Sequence, residues 1–202
     1  LSFYQISKQN FEILNMLNVK YILQPSEEGV VPLLNDKTNG NAWFVSQIQK
    51  VESVDEEMKS IDKLNTKTNA IVNKNKFTEI SKTLASNYTI DNDSYINLNV
   101  YKPNYLKYSS YNSKPAVAVF SEIYYPKGWN AYVDGKLVEH FEVNYTLRAL
   151  QVDAGKHVIE FKFEPQVVKT GSVIVLISSI LIAIIIIAGI VLELKRRQKK
   201  LV

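Results

Sequence analysis

The chain has 202 residues, with 24 lysines and arginines against 20 aspartates and glutamates. Five of those cations (Lys195, Arg196, Arg197, Lys199 and Lys200) crowd into six positions near the C-terminus. Without them and Glu193, the first 170 residues carry 19 of each sign, so the electrostatic footprint of a nucleic-acid-binding protein is missing. There is no cysteine, which excludes disulfide support and thiolate chemistry and leaves stability to a hydrophobic core.

Residues 6–17 bring Phe11, Leu14 and Met16/Leu17 near one face and predict a short amphipathic helix. Residues 19–23 read as a strand closed by Gln24-Pro25, and residues 25–40 are rich in turn formers. A strand over 42–51 carries Trp43 and Phe44. Ser53 followed by Glu56 is a capping box opening a helix to about Leu64, with Val54, Met58 and Ile61 spaced for one face. A short strand over 69–72 and a Lys-, Thr- and Asn-rich stretch complete an expected small α+β unit over residues 1–76.

From residue 77 to 166 the pattern is one of short strands. Residues 95–101 alternate, with Ile96, Leu98 and Val100 on one side. Strands are predicted over 105–111, 116–123, 129–133 and 136–138, the last two flanking Asp134-Gly135, a pairing suited to a type I′ turn. Further strands are predicted over 144–152 and 157–164. Their spacing, with turn signals every 8–12 residues or so, predicts an antiparallel β-sandwich.

Residues 171–192 (GSVIVLISSILIAIIIIAGIVL) contain no charge in 22 positions. As a helix they would extend roughly 33 Å, enough for a hydrocarbon core of about 30 Å. A transmembrane helix is expected over 167–194 and a basic tail over 195–202. The positive-inside tendency puts that tail in the cytoplasm and residues 1–170 outside it. Residues 1–20 have no signal-peptide core, so the chain is expected to be the C-terminal piece of a longer membrane protein, a cleaved signal peptide being the alternative.

No catalytic constellation is present. His140 and His157 lack a metal spacing, and no phosphate loop or GxSxG elbow occurs. Asp91-Asn92-Asp93 has the form of a DxD motif and reads as a polar turn. Asn87, Asn92 and Asn144 begin N-glycosylation patterns. The stretch SEIYYPKGWNAYVDG (121–135) concentrates Tyr124, Tyr125, Trp129 and Tyr132 around Pro126 and Gly128. Such rings suit stacking on sugars, and they equally suit a sandwich core. Arg148, the only arginine before the tail, could grip a phosphate or carboxylate, or form an ion pair within the sandwich.

With LNMLNVKYIL (14–23), GNAWFV (40–45) and NYTLRALQVDAGKHVIEFKFEP (144–165), that stretch resembles the C-terminal region of the YfhO family of bacterial membrane proteins. The resemblance implies a polytopic, GT-C-like glycosyltransferase of the bacterial cytoplasmic membrane, moving sugars from polyprenyl-phosphate carriers to envelope polymers such as teichoic acids. Its catalytic carboxylates would lie in earlier outer loops, so no catalytic, metal or cofactor residue is carried over here. The implied partners are the bilayer, upstream spans of the same protein, a polyprenyl-phosphate sugar and envelope glycan. Tyr124, Tyr125, Trp129 and Arg148 are the candidate glycan contacts. A membrane-anchored glycan-binding module and a structural envelope domain remain the alternatives.

Overall fold

A computed structural model describes residues 11–27 and 29–199. The described residues up to Phe163 form one compact unit, and those from Glu164 onward form a second.

The first unit is built on two sheets. One runs β10 (Lys136–Val138), β9 (Trp129–Val133), β13 (Gly155–Phe163), β7 (Tyr105–Asn112), β6 (Tyr95–Lys102). The other runs β11 (Phe141–Val143), β12 (Leu147–Val152), β8 (Ala116–Ile123), β3 (Ala42–Val45). All pairings within both sheets are antiparallel. Phe44, Leu106, Tyr108, Phe120, Leu150, Ile159 and Phe161 fill the space between them. Tyr108, Phe120 and Phe161 meet edge to face there, with centroids 4.8–6.3 Å apart, a geometry that favours aromatic pairs beyond their burial alone.

The second sheet is covered on its other side too. Trp43, Val45, Val117, Val119, Leu147 and Ala149 pack there against Met16, Ile48, Ala70, Val72, Ile80 and Leu84. A strand with both faces dry needs no polar alternation, which is why Ala116–Phe120 reads AVAVF.

The covering layer comes from the first third of the chain. β4 (Gln47–Val51) and β5 (Asn69–Asn73) pair in parallel, a connection that requires a crossover, here α2 (Val54–Ile61). The expected boundary at residue 76/77 cuts across this arrangement, because β3 belongs to a sandwich sheet. The strand expected over 42–51 is two strands of different sheets, parted at Ser46, whose amide donates to Thr68 O.

The capping box is present: the Ser53 hydroxyl accepts from the Glu56 amide at 3.2 Å, and the Glu56 carboxylate accepts from the Glu52 amide. The buried face of α2 is a correction. Glu57 and Ile61 are buried while Val54 and Met58 are each 49% exposed; Glu57 turns inward to accept the Tyr145 amide at 2.7 Å. α3 (Thr78–Thr83) was not expected. Its sequence, TEISKT, has one apolar residue and no side-chain cap, so no periodicity announces it.

α1 (Phe11–Met16) lies within the helix expected over 6–17, whose first residues fall outside those described. β1 (Tyr21–Ser26) runs on through Pro25 and pairs with β2 (Gly29–Leu34), a strand read as turn because of Gly29 and Pro32. In a two-stranded ribbon both strands are edges, where proline is tolerated. The register puts Tyr21, Leu23, Pro25, Val30, Pro32 and Leu34 on one face, all exposed.

The strand expected over 144–152 begins at Leu147 instead. Asn144 and Tyr145 take φ of 51° and 68° and make the turn between β11 and β12. Asn144 pays for that conformation with two bonds to Ile71: its side-chain oxygen accepts the amide at 2.8 Å and its own amide reaches the carbonyl at 2.9 Å. Asp134 and Gly135 have positive φ, as the predicted turn requires.

The second unit is α4 (Gln166–Lys199), 34 residues long and so about 51 Å. Its isoleucines are open along the length, from 51% exposed at Ile180 to 70% at Ile185. The hydroxyls of Ser172, Ser178 and Ser179 each donate at 2.8 Å to the carbonyl four residues earlier. The helix thus satisfies its polar side chains internally, as a segment in hydrocarbon must. It is long and apolar enough to cross a membrane.

Candidate functional site

The loop over 124–128 carries the chain from β8 in one sheet to β9 in the other. Just before it the ladder slips: Leu147 faces Ile123 while Arg148 faces Phe120, so Ser121 and Glu122 bulge from β8. A bulge re-aims backbone groups, and here the Ile123 carbonyl accepts from Arg148 Nη2 at 3.0 Å and Nε at 3.4 Å.

Arg148 points between the sheets and is 2% exposed. Its guanidinium lies 4.6 Å from the Trp129 ring centroid and 4.7 Å from that of Phe161, so two aromatic systems enclose a desolvated cation. Burial pulls its pKa down and Glu122 pushes it up; Glu122, half-buried, is raised by burial and lowered by Arg148. Among the described residues, Nη1 of Arg148, Oη of Tyr108 and Nε2 of His140 have no hydrogen-bond partner. His140 stacks edge-on against Tyr124 and Phe161, and burial followed by the Arg148 charge pushes its pKa down to about 4.

The four candidate residues therefore divide by environment. Arg148 is enclosed. Trp129 is half-buried, its ring 5.4 Å from that of Phe163 and tilted by 56° to it. Tyr124 is half-buried, edge-on to Phe77 at 5.6 Å, with Lys76 Nζ 5.9 Å from its centroid; burial raises its pKa. Tyr125 is 48% exposed. Gly128 leaves room for the Phe163 ring: a Cβ there would fall 2.3 Å from it, so a larger residue needs that ring to move. What holds this end together besides them is Glu122, His140, Tyr108 and the Lys76–Glu142 ion pair at 2.6 Å. Strand alternation in the sequence hinted only at Tyr108.

The other motifs are accounted for locally. Asp91 accepts the Ser113 amide at 2.8 Å at a turn before β6, and Ser113, through its side chain first and its amide second, lowers the Asp91 pKa. Among the described residues no group of His, Asp and Glu could hold a metal ion. His157 sits 2.6 Å from Asp134. A cavity of about 330 Å³ is lined by residues including Glu79, Val138, Phe141 and Gln151, and one of about 460 Å³ by residues including Glu12, Asn15, Ile22 and Leu33. Neither is lined by any of the four candidates.

A β-sandwich followed in sequence by a helix with a charge-free stretch of 22 residues is the pattern of a membrane protein with one folded domain and one candidate span. The family described as "Bacterial membrane protein YfhO" matches residues 56–175, from within α2 to within α4. That is more than half of the chain, which belongs to this family. No curated protein and no solved structure matches it.

Proposed function

We propose that this chain is an extracytoplasmic domain and one membrane span of a polytopic glycosyltransferase. The enzyme would draw sugars from polyprenyl-phosphate carriers and place them on envelope polymers of a bacterium. The portion described here is non-catalytic and helps position substrate beside the upstream spans. Membership of the YfhO family, together with the charge-free helix before a basic tail, is the observation that carries this reading.

The test is deletion of the parent gene, with sugar analysis of extracted envelope polymers. Loss of one sugar, with accumulation of its polyprenyl-phosphate carrier form, is expected. An unchanged sugar profile would contradict the transferase role and leave a binding or structural domain.

A further inference from the structure

The two ends of the sandwich differ in what they show to solvent. Phe163, the last residue of β13, pairs with Trp129, and Lys102 pairs with Tyr105 beside Lys162. On the other sheet, Ile123 and the 144–146 turn meet through Leu147 and the Tyr124–Thr146 backbone bond. These groups mark one end, the one from which the chain continues through Glu164 and Pro165 into α4. Eight large apolar side chains between residues 95 and 163 are exposed, and five of them (Tyr101, Ile123, Tyr125, Tyr145 and Phe163) belong to this end. The other three, Tyr95, Leu137 and Val158, lie elsewhere.

Two cations, Lys102 and Lys127, are exposed at this end, while the carboxylate of Glu160 is half-buried and accepts from the Tyr105 hydroxyl. Exposed tyrosines with interspersed lysines are the composition of a membrane–water interface: ring bodies rest at the headgroup level and ammonium groups meet phosphate. Apolar side chains gathered at one end in this way mark an interaction surface.

We propose that this end of the sandwich rests on the bilayer, with Tyr101, Tyr125 and Tyr145 in the headgroup layer and Lys102 and Lys127 against anionic phospholipid. The occupant follows from continuity, since two residues separate β13 from a helix of membrane-spanning length, and from charge. The proposal rests on α4 crossing the membrane.

The chain has no native cysteine, so single labels are clean. Tyr101→Cys, Tyr125→Cys, Leu137→Cys and Ile184→Cys, each carrying a bimane, would be placed in nanodiscs containing phosphatidylglycerol. Nitroxides on the lipid headgroup should quench positions 101 and 125 at least twofold more than 137, and acyl-chain nitroxides should quench 184. Exchanging phosphatidylglycerol for phosphatidylcholine, or adding Lys127→Glu, should weaken quenching at 125. Quenching at 184 with 101 and 125 no different from 137 would overturn the contact while leaving the span intact. No quenching at 184 would remove the span and the contact together. Protection of Tyr125→Cys from maleimide by a soluble oligosaccharide, without headgroup quenching, would make this end a glycan site instead.

Discussion

Two segments of this chain are almost equally apolar and meet opposite fates. In β8, Ala116 to Phe120 are 0–1% exposed, covered by one sheet on one side and by β4 and β5 with Met16, Ile80 and Leu84 on the other. In α4, Ile184 to Ile187 are 56–70% exposed within a helix that has no polar face. Apolar composition alone does not say what will cover a segment. Length and context do: eight residues in a sheet can be sealed by neighbours of the same fold, whereas 22 uncharged residues in one helix call for lipid.

The largest effect should come from breaking the protein-made cover. Phe120→Ala, in the centre of the aromatic cluster, should cost about 3–5 kcal/mol, read as a lowered midpoint in thermal melts of the full chain in mild detergent. Ile185→Ala should leave that sandwich transition unmoved. Ile185→Asp should act only on membrane insertion, where a central carboxylate costs roughly 3 kcal/mol.

Arg148 sharpens the comparison, because it is a charge inside the protein-covered region. Arg148→Ala should cost about 3 kcal/mol, since it strands the Ile123 carbonyl and empties the space between Trp129 and Phe161. Arg148→Met, which refills that space without a charge, should recover more than half of the loss. Equal losses in the two variants would show that the hydrogen bonds, and not the packing, dominate.

His140 adds a pH dependence with a definite sign. Its folded pKa, about 4, lies below the ordinary value of 6.5, so the fold favours neutral imidazole. Its contribution is intact above pH 6.5 and falls as pH drops from 6.5 to 4, where the unfolded chain takes up a proton that the folded chain refuses. At about 1.36 kcal/mol per unit the whole effect is at most about 3–4 kcal/mol. The difference in melting behaviour between wild type and His140→Gln across this window isolates it from the carboxylates. A pH-independent difference would contradict the buried, neutral assignment.

The smallest effect is expected at Tyr125. With its ring half open, Tyr125→Ala should change stability by less than about 0.5 kcal/mol, against about 2 kcal/mol or more for Trp129→Ala. A large loss at Tyr125 would make the whole loop architectural.

The strands that alternate or end at strong turn signals were readable before the structure. β8, β9 and β10 match residue for residue, and Asp134-Gly135 marked its turn. What the sequence concealed was decided by partners distant along the chain. Ser46 parts what reads as one strand because its two halves join different sheets. Asn144 and Tyr145 sit in a turn because Ile71 and Glu57 hold their backbones. Pro25 and Pro32 hid a ribbon that is all edge. In the candidate site, the aromatic stretch was visible as composition, but the enclosure of Arg148 was not, since it depends on Trp129 and Phe161 arriving from β9 and β13.

The most direct test of the account is the sidedness of the intact parent protein. Single cysteines would be introduced as Leu137→Cys, at an exposed position of the sandwich, and as Gln198→Cys, within the basic tail. A membrane-impermeant maleimide should label position 137 in intact cells, or in spheroplasts where an outer membrane is present. It should reach position 198 only after the membrane is permeabilised. Labelling at 198 with protection at 137 would invert the topology and contradict an extracytoplasmic sandwich.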